Sequence, residues 1–485
     1  MHRQLVRDEL YPFLDKLIFA IFVLLLPFAL AGGTATFNDG DSSWHIAAGR
    51  WIMAHGAVPS TDPFSFTMGG QPWVAFEWLS QIIYAAAFDA AGYPGVATVA
   101  VLAIMSLHLV IFVFLRRRVG PVAILVSFVA MDLILTKFVL ARPHILVWPV
   151  AAVWTAILID SKDKGRAPPL VLALLMLLWA NLHGSFILGF VIAGCIALDA
   201  LVTANWSKRV FTDWLLFGLA ALLAAQLNAN GATGFAYPIT VIGLEHLTFI
   251  EEWGPSMPSR TPFFFVLLVG AMGALLFKRV KLGLGEILLL SILLLLALAQ
   301  VRQQCWLAMV APMILAPRLA ALDRAGIAPL FLSIANRRLW FAAAATAGIS
   351  ILLARLALPL QPSETFSNPR TLIAHIPSEL RSRPVFNQYS FGGPLILAGI
   401  RPYIDGRSDL YGDAFMSDYV KMTDGDLGRF DQAVRKYGII WTMLPPKMRL
   451  TKLLDASPAW RRLYADKVGV IHVRRTKPPL SEETR

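Results

Sequence analysis

The sequence predicts a mainly α-helical, polytopic membrane protein carrying a small α/β domain at its C-terminal end. Three observations predict it. The chain is 57% hydrophobic and only 15% charged, with a mean hydropathy of +0.62; a soluble domain is nearer half apolar and a quarter charged. Apolar runs close to the length that crosses a bilayer recur from residue 17 to residue 358, with Lys and Arg gathered between alternate runs. Beyond residue 360 the pattern changes to short apolar runs broken by Pro and Gly turns.

Residues 1–16 mix Arg3, Arg7 and Lys16 with Asp8, Glu9 and Asp15. That is a poor n-region for a cleaved signal peptide, despite Ala29-Leu30-Ala31, so 17–35 reads as a retained first span. A long polar loop, 36–93, follows. Within it 78–90 is apolar but only about a dozen residues long, too short to cross, and reads as an interfacial or re-entrant helix. Counted as a span, it would invert the topology of everything after it. Spans two to four are 94–115, 121–136 and 145–159. Spans five and six, 169–180 and 186–202, form a hairpin about Asn181-Leu182-His183-Gly184. Span seven, 214–227, leads to a second long loop, 228–261. Spans 262–277, 287–299, 306–315 and 340–358 bring the number to about eleven.

The basic residues then sort by side. One set of loops holds Arg3/Arg7/Lys16, Arg116–Arg118, Lys162/Lys164/Arg166, Lys208/Arg209, Lys278/Arg279/Lys281 and Arg318/Arg324/Arg337/Arg338. The other holds Arg50, Lys137/Arg142, Arg260 and Arg302. The richer set is cytoplasmic by the positive-inside rule, which puts the N-terminus inside and the C-terminus outside. The formal net charge of +12 is therefore a matter of topology, and no nucleic acid partner is expected. Cys195 and Cys305 lie in or beside apolar spans and read as packing residues. The expected domains are 1–360, transmembrane with its outer loop, and 361–485, an α/β domain outside the membrane. In the latter 384–386, 402–404, 439–443 and 468–473 read as strands, and 414–422, 427–436 and 460–464 as helices.

The first outer loop concentrates the acids: Asp39, Asp41, Asp62 and Glu77, with His45. Ser42 or Ser43 can cap a short helix running to about His55, on which Trp44, Ala47, Ala48 and Trp51 share an apolar stripe. Asp39 and Asp41 then stand at its N-terminus, where free N–H groups stabilise carboxylates. The same Asp-x-Asp spacing suits a divalent cation such as Mg²⁺ or Mn²⁺. Asp62 reads as a turn residue. Residues 64–67 and 73–75 read as a small hairpin about Gly69-Gly70. Glu77-Trp78 and Glu252-Trp253 each set a carboxylate beside an indole, which suits sugar hydroxyls and a sugar ring face and equally suits interfacial anchoring. Arg142, His144, His183 and Arg302 lie at outer ends of spans. Arginine there can fork onto a phosphate or snorkel to the surface.

These motifs together resemble the GT-C superfamily of membrane glycosyltransferases, which includes protein mannosyltransferases and lipid A aminoarabinose transferase. The residues carrying the resemblance are Asp39-x-Asp41-x-x-Trp44-His45, Ala48-Gly49-Arg50, Pro59-x-Thr61-Asp62-Pro63-Phe64-Ser65-Phe66-Thr67, Pro72-Trp73-Val74, Glu77-Trp78-Leu79, Asn181-x-His183-Gly184, Glu252-Trp253 and Asp405-Gly406-Arg407-x-Asp409-x-Tyr411-Gly412. The resemblance spans almost the whole chain and leaves the substrate open.

It implies a polyprenyl-phosphate-linked sugar donor, a lipid, glycan or protein acceptor, and an essential acid in the first outer loop, Asp41 or Asp39. On that expectation Asp41 is the base, and Asp39 its partner or, with it, a metal ligand. Arg142 and Arg302 hold the donor phosphate. Glu77, His45, Glu252 and His183 bind sugar or acceptor, and Asp405 with Arg407, in a turn of the outer domain, either covers the site or, as the preferred reading, staples the domain by an ion pair. A bound Mg²⁺ or Mn²⁺ is optional in such enzymes. Two other functions fit the residues: a transporter or flippase of a lipid-linked or anionic substrate, and a catalytically inactive envelope-assembly subunit. A transporter calls for ionisable groups in mid-span, where Asp132 and Asp199, at middle or cytoplasmic depth, are the partial exceptions.

Overall fold

The computed structural model describes residues 12–242, 251–320 and 334–475. Arg3, Arg7 and Arg324, counted above in the charge asymmetry, lie outside them. The helices of the apolar part are α1 (Pro12–Ala31), α2 (Asp41–His55), α3 (Trp78–Arg116), α4 (Pro121–Leu135), α5 (Pro143–Asp163), α6 (Ala173–Leu182), α7 (Phe186–Thr203), α8 (Lys208–Gln226), α9 (Gly231–Ile242), α10 (Pro262–Phe277), α11 (Leu284–Ala299), α12 (Gln304–Ala320) and α13 (Ile334–Ala357). Pro121, Pro143 and Pro262 each open a helix, where the missing N–H costs nothing.

Each of the eleven apolar segments is helical. Among the described residues six helices are long and apolar enough to cross a membrane by length and composition. Residues 170–182, α10, α11 and the apolar part of α13 are shorter, and α12 carries Pro312 and Pro317. The chain is an integral membrane protein. Segment 78–90 is continuous with the second span in α3, and the two meet at a break where Ala91 and Gly92 leave helical geometry. One expected loop is partly helix: α9 lies inside 228–261, and Asn228 Oδ1 accepts the Asn230 N–H just before it.

The described residues form two compact units. One comprises the chain up to Thr36, Ala87–Pro238 and 251–360. In it α11 packs against α7 and α12, α4 against α12 and α10, α6 against α8, and α5 against α6 and α7. Trp148, Trp154 and Trp179 are fully buried in it. Asp199 of α7 caps α11, accepting the Gly285 N–H at 2.6 Å and the Glu286 N–H at 3.1 Å. That satisfies two orphan donors of a helix start. Asp132 stands within a turn of the C-terminal end of α4 and pairs with His108 of α3 at 2.9 Å.

The other unit joins the first outer loop, Phe37–Ala86, and residues 239–242 to the stretch from Gln361 to residue 475. Its sheet has strands β1 (Val385–Asn387), β2 (Trp441–Leu444), β3 (Trp460–Ala465) and β4 (Val470–Arg474), in the order β1-β2-β4-β3. The first pair is parallel and the others antiparallel. Helices α14 (Gly392–Leu397), α15 (Ser408–Thr423), α16 (Leu427–Tyr437) and α17 (Arg449–Ala456) surround it. Phe386, Tyr403, Tyr419, Phe430 and Trp460 fill one apolar core; Val385, Leu395, Trp441, Met443 and Ile471 fill another.

Two expectations for this unit are corrected. Residues 460–464, expected helical, are strand β3, because Arg461 and Arg462 stay exposed while Trp460 is buried and the backbone pairs with β4. Residues 402–404 join no strand, and the chain bends at Tyr403. Asn387 Oδ1 accepts the Tyr403 N–H, Asn387 Nδ2 donates to Ile404 O, and Thr67 Oγ1 donates to Tyr403 O. Side chains thus take the bonds a strand neighbour would make.

Candidate functional site

The eight residues marked for chemistry divide four and four between the units. Asp39, Asp41, His45 and Glu77 belong to the unit built on the outer loop. Helix α2 starts one residue earlier than Ser42: Gly40 is its cap position and Asp41 its first residue, while Ser42 and Ser43 are buried inside the first turn. The capping side chain is that of Asp39, whose Oδ1 accepts the Asp41 N–H at 2.9 Å. Trp44 and Ala48 pack with Trp73, Ala75 and Ile396, so the apolar stripe of α2 is core. Gly40 and Gly393 let α2 approach α14 backbone to backbone: a Cβ on Gly393 would overlap Gly40 O. His45 Nε2 and Glu77 Oε2 stand 3.8 Å apart, both well buried.

Below them lies a network that the sequence reveals only in part. Asp62 does make a turn, accepting the N–H groups of Phe64 and Ser65 and the Ser65 hydroxyl. The turn is not the expected hairpin; the pairing is Thr61 with Pro72, shifted toward its base. The fourth bond is the informative one. Arg407 Nη1 donates to Asp62 Oδ1 at 2.6 Å, while its Nε and Nη2 fork onto Asp405 at 2.8 and 2.7 Å. Tyr411 donates to Asp405 Oδ2 at 2.7 Å. The guanidinium lies over the rings of Phe64 and Trp73, 5.2 and 4.8 Å from their centroids. Burial would lower the Arg407 pKa, but Asp405, Tyr411 and Asp62 raise it well above the ordinary value, so the group stays charged. The staple between Asp405 and Arg407 thus also ties down the outer loop at Asp62. Asp62 read as a turn residue because nothing local marks a partner 345 positions away.

Asp39 and Asp41 do not by themselves make a cation site. Asp39 Oδ1 serves the helix N-terminus, and among the described residues no group of three or more His, Cys, Asp or Glu is set to hold a metal ion.

Arg142, His183, Glu252 and Arg302 belong to the unit of apolar helices. Arg142 is the cap residue of α5, with extended backbone. Glu252 and Trp253 sit in a single helical turn, Glu251–Trp253, fixed beside Arg302 by backbone bonds from Val301 to Gly254 and from Ser256 to Leu298. Gln304 Nε2 donates to Ser256 Oγ at 2.7 Å and Thr261 Oγ1 at 3.2 Å, which braces the same corner. Glu252 Oε1 accepts from Arg142 Nη1 at 2.8 Å and lies 3.9 Å from Arg302 Nη1. Arg302 stands over the Trp253 ring, 4.1 Å from its centroid. So the Trp253 face carries a guanidinium. Burial would raise the Glu252 carboxyl, but Arg142 and Arg302 outweigh it and hold the pKa at about 2. Two guanidinium groups on one carboxylate leave this cluster one positive charge in excess.

His183 follows α6 and is buried; its imidazole lies well below the usual histidine range through burial, with Arg302 and His144 adding to the effect. It is neutral near pH 7. Its Nδ1 accepts the Ser185 N–H at 3.1 Å, which places the ring proton on Nε2. His144 donates from Nε2 to Phe138 O, and its ring centroid is 6.4 Å from that of His183. The arrangement suits an anion: two charged forks, with a neutral imidazole N–H close by.

Two solved structures share this architecture. Over 94% of this chain and 97% of its own, ArnT from Cupriavidus metallidurans, solved bound to undecaprenyl phosphate, superposes with a TM-score of 0.51 at 13% identity. The Archaeoglobus fulgidus oligosaccharyltransferase, solved tethered to an acceptor peptide containing the NVT sequon, does so with a TM-score of 0.50 at 12% identity, over 88% of this chain and 69% of that one. Both are GT-C glycosyltransferases. At such identities the likeness is one of fold. No protein-family model and no curated protein matches the chain.

Proposed function

We propose that this chain, which has the GT-C fold, transfers a sugar from a polyprenyl-phosphate-linked donor to an acceptor at the outer face of a bacterial inner membrane. The observation that carries the reading is the Arg142–Glu252–Arg302 cluster, whose excess positive charge lies in the unit of apolar helices. A phosphate carried by a lipid is the ligand that such a cluster would serve, and one GT-C neighbour was solved with undecaprenyl phosphate.

In this reading Asp41 takes the proton of the acceptor hydroxyl as its oxygen bonds to the sugar's anomeric carbon. The bond from that carbon to the phosphate oxygen breaks, and the phosphate leaves with the electron pair. Arg142 and Arg302 stabilise the charge it gains, as positioned donors do for a leaving oxyanion. Glu252 holds the two forks in register. Asp39 keeps the first turn of α2 in place, His45 and Glu77 receive sugar or acceptor hydroxyls, and the His183 N–H donates to the donor. The eleven apolar segments act as spans, with the N-terminus cytoplasmic and the domain 361–485 outside.

The test is consumption of radiolabelled polyprenyl-phosphate sugars by the purified protein in detergent, read as release of polyprenyl phosphate, for wild type, Asp41→Asn and Arg302→Ala. Release by the wild type alone supports the reading. Equal release by Asp41→Asn removes Asp41 as base. A transporter has one observation in its favour, the buried His108–Asp132 pair in the span region; binding of donor by all three proteins without any release would move it ahead.

A further inference from the structure

The Asp41 carboxylate stands against the backbone of Gly406. A Cβ on Gly406 would overlap Asp41 Oδ1 and come within 3.0 Å of Trp44 Nε1. Position 406 has little freedom to retreat. Asp405 before it and Arg407 after it are fully buried and joined by a bidentate ion pair, and Arg407 is held again by Asp62. The Gly406 carbonyl accepts the Tyr389 hydroxyl at 3.0 Å. The backbone at 406 is thus anchored on both sides, whereas the atom in the way is the end of a rotatable side chain.

We infer that Gly406 is a positioning residue for Asp41: the missing side chain at 406, on backbone fixed by the Arg407 network, determines where the Asp41 carboxylate stands. Its consequence for turnover rests on Asp41 being the base. Asp41 is half-buried, so displacement of its carboxylate from the Gly406 face changes its access to solvent. This ties a segment of the C-terminal domain to the chemistry of the first outer loop, a role beyond that of a staple.

The experiment is carbodiimide labelling of carboxylates in the full chain in detergent, with glycine ethyl ester as the amine and mass spectrometry as the readout. Gly406→Ala is expected to raise modification of Asp41 several-fold and leave the exposed Asp426 unchanged. Unchanged Asp41 labelling, in a variant that melts like wild type, overturns the inference. Should Gly406→Ala fail to fold, Tyr389→Phe releases the Gly406 carbonyl without added bulk. It is expected to shift Asp41 labelling in the same direction, and no shift overturns the inference equally.

On a polyprenyl-phosphate sugar that the wild type consumes, Gly406→Ala is expected to lower kcat with the donor KM unchanged. A catalytic group displaced by about 1 Å loses on the order of 100-fold. Combined with Asp41→Asn it should add nothing; an additive loss would mean that Gly406 acts elsewhere. Wild-type turnover by Asp41→Asn would remove the base assignment alone, because the labelling result does not depend on it.

Discussion

At the scale of single residues, the most consequential side chain is Arg407, for which the sequence suggests the ion pair with Asp405 but not the one with Asp62. It is fully buried with two carboxylates, so the cost of losing it is set by what it leaves behind. Arg407→Ala strands Asp62 and Asp405 in an apolar surround, and the loss is expected to be about 3–5 kcal/mol. Asp62→Asn removes one charge and keeps the Arg407–Asp405 fork, so it should cost less. Thermal unfolding of the purified variants in detergent orders the two; the reverse order would sink the clamp. Arg302 belongs to the same scale. Its exchange for Ala is expected to weaken polyprenyl phosphate binding roughly 10–100-fold, as the loss of a charge-assisted hydrogen bond does. Titration calorimetry with that lipid alone reads it, and unaltered affinity would remove Arg302 from the donor site.

At the scale of elements, the sheet contains its own acid-sensitive joint. His472 of β4 is fully buried, lies 3.3 Å from Thr442 Oγ1 of β2 and pairs with Asp455 of α17 at 2.9 Å, where Arg462 of β3 also forks onto Asp455. Burial lowers the His472 pKa, and the Asp455 contact only partly restores it. The unfolded chain therefore binds the proton more readily than the folded one. Stability contributed by neutral His472 is complete above the unfolded value, near 6.5, and falls as pH drops below it. His472→Gln should flatten the fall in melting temperature between pH 7 and pH 5.5; an unchanged slope would assign it to other groups. Glu252 has the opposite chemistry with the same sense of loss. Its carboxyl, near 2 when folded against 4.5 unfolded, contributes stability above the unfolded value that disappears only as pH falls through the folded one. The arginine corner should hold throughout the range in which His472 titrates.

At the scale of the whole molecule, the open question is which side of the membrane each loop faces. The proposed topology has 161–166 in the cytoplasm and 251–261 outside, as the positive-inside rule expects from the charge asymmetry. Lys164 and Arg260 are both exposed, and Cys195 and Cys305 are both buried. An impermeant maleimide should therefore label Arg260→Cys in intact cells and Lys164→Cys only after permeabilisation. The reverse pattern would invert the topology and with it the proposed outer-face chemistry.

The sequence by itself determined the membrane class, the run of helices and the two places where charged residues gather. Those follow from local quantities: hydropathy over a span's length, Pro at helix starts, acids ahead of Trp44 and Glu252 beside Trp253. It also marked Asp39 and Asp41 as a helix start, although the cap position is Gly40, with Asp39 accepting the Asp41 N–H, and not Ser42 or Ser43. Local pattern misjudged 460–464 and 402–404, since strand or loop there depends on which backbone groups a distant neighbour satisfies. Only the tertiary structure paired Asp62 with Arg407, placed Arg302 on Trp253, set Glu252 between two arginines and brought Gly406 against Asp41. Each joins residues far apart in the chain, and a buried charge or a close backbone approach is defined only by what surrounds it.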